Sequence, residues 1–66
     1  MQQQDLLRYM AAELDVRIAN QTNDLALGKA KDFGDYKYAC GIIRGLMFAK
    51  DVLIETNEKI EHDDDN

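Results

Sequence analysis

The chain has 66 residues, with 13 acids, 8 Lys and Arg, a formal net charge of −5 and 45% hydrophobic residues. A single domain of this size buries about 60% of its unfolded surface and leans on a disulfide, a metal or a partner for stability. Cys40 is the sole cysteine and His62 the sole histidine, so an internal disulfide is excluded, a zinc site is not expected, a reducing compartment or a buried apolar position is expected for the thiol, and a partner subunit or protein is left as the extra source of stability.

The opening stretch, MQQQDLLRYMAAELD, has neither a basic start nor an uninterrupted apolar core. No secretory signal is expected from it. The first predicted element is a helix over about 5–27. Its apolar stripe is Leu7, Met10, Leu14, Ile18 and Leu25, with Ala11 beside it, mostly at spacings of three and four. Glu13 and Arg17 form an i,i+4 pair in the favourable order. Gly28 follows the last apolar residue, where a helix end favours glycine.

The connector is GKAKD, Gly28 to Asp32. Asp32 is placed to cap the next helix, and Asp35 puts a negative charge in its first turn, where the helix dipole favours it. The second helix is predicted over about 33–60. Tyr36, Ala39, Ile43, Leu46, Leu53 and Ile60 form a heptad-like stripe, interrupted by Lys50 and Asn57. Glu55 and Lys59 form a second i,i+4 pair. The spacing and the short connector predict an all-α fold, an antiparallel two-helix hairpin over 1–60 that oligomerises or docks on a larger partner. Residues 61–66, EHDDDN, are expected to be a disordered acidic tail, because acids oppose the dipole at a helix C-terminus.

Two glycines inside the second helix need a reason, since each costs about 0.8–1 kcal/mol there. Gly41, Gly45 and Ala49 lie four apart and line one side. Such a stripe lets another helix approach closely. Either the first helix, through Ala11, Ala12 and Ala19, or another chain could fill that position. The apolar residues Ile42, Ile43, Leu46, Met47, Phe48, Val52, Leu53 and Ile54 nearly encircle the helix, which a single companion helix cannot cover. The expected interface residues are therefore Gly41, Gly45, Ala49, Ile42, Leu46, Met47, Phe48 and Leu53. Met1, Met10 and Met47 form no stripe of their own.

Residues 1–60 carry 9 acids and 8 bases, so the helical part is nearly neutral and the remaining acids sit in the tail. No basic face is present to follow phosphates, so direct nucleic-acid binding is not expected. No apolar run reaches the roughly 20 residues of a membrane span, with Arg44 and Lys50 breaking the longest candidate, so no membrane partner is expected. No catalytic constellation, cofactor motif or metal set is read from the sequence. Cys40, mid-helix in apolar company, reads as a buried, inert thiol, and one of Tyr36 and Tyr38 as core with the other at an interface or the surface.

The run DFGDYKYACGIIRGLMFAKDVL, Asp32 to Leu53, resembles a pattern found in small α-helical proteins of tailed bacteriophages. The matching residues are Asp35, Tyr36, Gly41, Ile43, Gly45, Leu46 and Ala49, and the run covers about a third of the chain. The resemblance implies a small helical phage product of the virion or the host cytoplasm, and no activity. The expected function is non-enzymatic: a virion-associated hairpin binding capsid, portal or tail proteins. The alternatives are a small intracellular regulator inhibiting a host or phage enzyme, and a self-assembling four-helix-bundle dimer.

Overall fold

The structure, a computed structural model, describes residues 3–64. Helix α1 spans Gln3–Ala26 and helix α2 spans Phe33–Asp64. They pack side by side along their lengths as an antiparallel hairpin, a rod of 52 × 18 × 12 Å. No strand is present among the described residues.

The connector is held by backbone geometry that the sequence specifies. Gly28 takes φ 78°, the left-handed region. Its N–H donates to the Leu25 carbonyl at 3.0 Å, and Lys29 N–H donates to the Asp24 carbonyl at 3.1 Å. This is a Schellman end: two carbonyls of the last helical turn that would lack partners receive them from beyond the helix. The Lys29 ammonium also meets the Asp24 carboxylate at 3.1 Å. At the start of α2 the Asp32 Oδ1 accepts from Asp35 N–H at 2.7 Å, and the Asp35 Oδ2 accepts from Lys31 N–H at 3.1 Å. The two aspartates thus satisfy amides on either side of the helix start, a variant of the capping box.

The seam between the helices is formed by half-buried side chains at three- and four-residue spacings. Leu7, Ala11, Leu14, Ile18 and Leu25 come from α1, and Ala39, Ile42, Ile43, Leu46, Leu53 and Ile60 from α2. Of the expected stripes, Met10 and Tyr36 are instead exposed, while Ile42 joins the seam. Lys50, which interrupts the α2 stripe, bonds Asp15 across the hairpin at 2.6 Å.

Helix α2 does not stop at Ile60. Glu61 to Asp64 continue it where a disordered tail was expected, and Asp65 and Asn66 lie outside the described residues. The Glu61 Oε1 accepts from Arg8 of α1 at 3.2 Å. This cross-helix partner for the first acid offsets part of the dipole penalty. The i,i+4 pairs Glu13–Arg17 and Glu55–Lys59 are not formed. The ion pairs among the described residues are Arg8–Glu61, Lys29–Asp24 and Lys50–Asp15.

Candidate functional site

None of the described residues is buried, apolar or polar. Two helices enclose no interior: each seam side chain is covered on one side and open on the other. The consequence is greatest on one flank, where the helices form a groove of about 620 Å³. Tyr9, Met10 and Leu14 line it from α1, and Phe48, Ala49, Val52 and Leu53 from α2, with Glu13 and Arg17 as its charged members. Phe48 is 71% and Tyr9 61% exposed. Removing a side chain of this size from water contributes about 1.5–3 kcal/mol. The opposite flank differs in character: there Arg8 and Glu61 border a smaller, mixed hollow beside Leu7, Ile54 and Asn57, and their charges are already paired.

The expected interface residues divide between these surroundings. Ala49 and Leu53 line the groove beside α1 residues, and Ile42 and Leu46 are half-buried on the seam. Phe48 stands out from the groove wall, and Met47 is exposed. Gly41 and Gly45 are exposed, with nothing within 4 Å of where a Cβ would stand. Helix α1 is therefore not what those glycines accommodate, and Ala11, Ala12 and Ala19 do not face them. The sequence does not single out the groove's α1 wall, because Tyr9 falls outside the apolar stripe and Met10 reads as core. Both lie one turn from Glu13 on the flank away from Arg8, a placement that wheel geometry could have shown.

Two further features lie near the turn end and along the seam. Phe33 and Tyr36 stack with centroids 6.3 Å apart, and the Lys37 ammonium sits 5.7 Å from the Phe33 centroid. Tyr36 and Tyr38 are both exposed, so neither is core, and Cys40 is half-buried rather than enclosed. The Tyr36 hydroxyl is held above its usual pKa, chiefly by a hydrogen bond with the Cys40 side chain. Asn57 donates from Nδ2 to Glu61 Oε1 at 3.4 Å, while its own Oδ1 is shielded and lacks a partner.

Among the described residues, no group of three or more His, Cys, Asp and Glu is placed to hold a metal ion, and no helix is long and apolar enough to cross a membrane. Comparison with protein-family models, with curated proteins and with solved structures found no match to this chain.

Proposed function

We propose that this chain is a non-enzymatic interaction protein whose groove face is covered by another protein surface. One observation carries the reading: the described residues include no buried side chain, while Tyr9, Met10, Phe48 and Val52 stand exposed around one groove. Contiguous apolar surface of this kind marks protein contact sites in soluble chains. The setting we propose is the virion of a tailed phage, on the resemblance of Asp32 to Leu53 to small helical phage products. In that setting the hairpin would sit against capsid, portal or tail proteins.

The test is site-specific photo-crosslinking in the cells or particles that carry the protein. A photoreactive residue at Val52, in the groove, is compared with one at Glu58, on the other flank. Protein adducts from position 52 and few from position 58 are expected. Adducts in particles, with a second copy of the chain or with other particle proteins, support the virion setting. Adducts with a single cellular enzyme would replace that setting with a regulatory one. Absence of adducts from position 52 overturns the interaction reading itself.

A further inference from the structure

We infer that the groove is the interface of a two-fold homodimer, with α1 antiparallel to the partner's α1 and α2 antiparallel to the partner's α2. The inference rests on the reading above, that protein covers this face, and it names which protein.

Exposed area points to an occupant of protein size. The chain exposes 5360 Å². A folded monomer of its mass exposes about 4300 Å². The excess, about 1100 Å², is of the size one partner contributes to a specific interface, roughly 800 Å² in the standard class.

Charge selects a second copy. The Asp15–Lys50 ion pair marks one level shared by both helices, close to the middle of each. Glu13 and Arg17 lie on the groove, one turn apart, on either side of that level. Neither has an ion-pair partner among the described residues. A two-fold interface uses the same patch on both subunits, so it must complement itself. An axis crossing the groove at the Asp15–Lys50 level sets Glu13 opposite Arg17 of the partner subunit, and Arg17 opposite the partner's Glu13. On α2 the same operation sets Phe48 opposite Val52 of the partner subunit, again twice. Because the axis passes near the middle of the rod, the two hairpins overlap along most of their length. A partner surface of one charge sign would satisfy one of the two groups and oppose the other.

Sedimentation equilibrium of the full chain tests this, with Glu13→Arg and Arg17→Glu made separately. Both positions are exposed, so the hairpin itself is expected to keep its helicity in each variant, checked by circular dichroism. The unaltered chain is expected to sediment at twice 7.6 kDa. Each reversal places like charges opposite each other twice per dimer and is expected to weaken association about tenfold or more. In a mixed dimer one subunit is basic at both positions and the other acidic at both. Opposite charges then face each other at both contacts, and mixing the two variants is expected to restore association. A mixture no tighter than either variant alone, or variants that associate like the unaltered chain, would overturn the register. An unaltered chain that stays monomeric overturns the homodimer. In that case adducts from position 52 to a different protein leave the interaction reading standing, and their absence removes both.

Discussion

Gly28 holds φ 78° at the end of α1, a conformation that costs an L-residue about 1–2 kcal/mol. A Cβ there would meet open space, so the cost is backbone strain alone. Alanine also loses less chain entropy on folding, which offsets part of the strain. Gly28→Ala is therefore expected to destabilise by about 1 kcal/mol, a fall of roughly 4–8 °C in the thermal midpoint of a domain this small. An unchanged midpoint would show that the turn relaxes to a right-handed alternative. Asn57 works in the other direction. Its shielded Oδ1 has no donor, and an unmet acceptor of that kind costs about 1–3 kcal/mol. Asn57→Leu is expected to raise stability by about 1 kcal/mol in a chemical denaturation series. A loss instead would show that the Nδ2 bond to Glu61 is worth more than the unmet acceptor costs.

Both helices were legible in the sequence because three- and four-residue apolar spacing, a capping aspartate and a terminal glycine all agreed on their limits. The C-terminal limit of α2 was the exception. The dipole of a single helix disfavours EHDDDN, whereas Arg8, fifty-three residues earlier, supplies the counter-charge for Glu61. The candidate site was half legible. Phe48, Ala49 and Leu53 stand out from the excess of apolar residues around α2. Tyr9 and Met10 do not, because which flank of α1 lies beside that excess depends on how the helices rotate against each other. The unformed Glu13–Arg17 pair shows the same limit of reading one helix at a time. Removing residues 61–66 deletes the Arg8–Glu61 pair, which is exposed and worth about 0–1 kcal/mol. The truncated chain is expected to melt less than about 5 °C lower, measured by circular dichroism. A larger fall would mean that the last turn of α2 contributes packing as well as charge.

At the scale of the whole molecule, stability is expected to depend on protein concentration. Association stabilises by mass action, so dilution lowers the midpoint of a dimer and leaves that of a monomer unchanged. Melts over a hundredfold range, about two decades in the association term, check this directly. Gly45→Leu sharpens the test. The hairpin alone has room for the side chain and gains about 0.8–1 kcal/mol of helix propensity. A partner helix close to that backbone would be pushed away at a cost of about 1–3 kcal/mol. The expected outcome is a variant that associates more weakly than the original, read by sedimentation. Unchanged association would place Gly45 outside the interface. The antiparallel course of the chain has one more consequence. Gln3 and Asp64 emerge at the same pole of the rod, and the Gly28 turn lies at the other, across a long axis of 52 Å. Cargo fused to either terminus would hang from one pole while the turn reached away from it like the tip of a boom. Pairing two such rods about their middles would put one turn and one set of termini at each pole, a strut with matching attachment points at both ends.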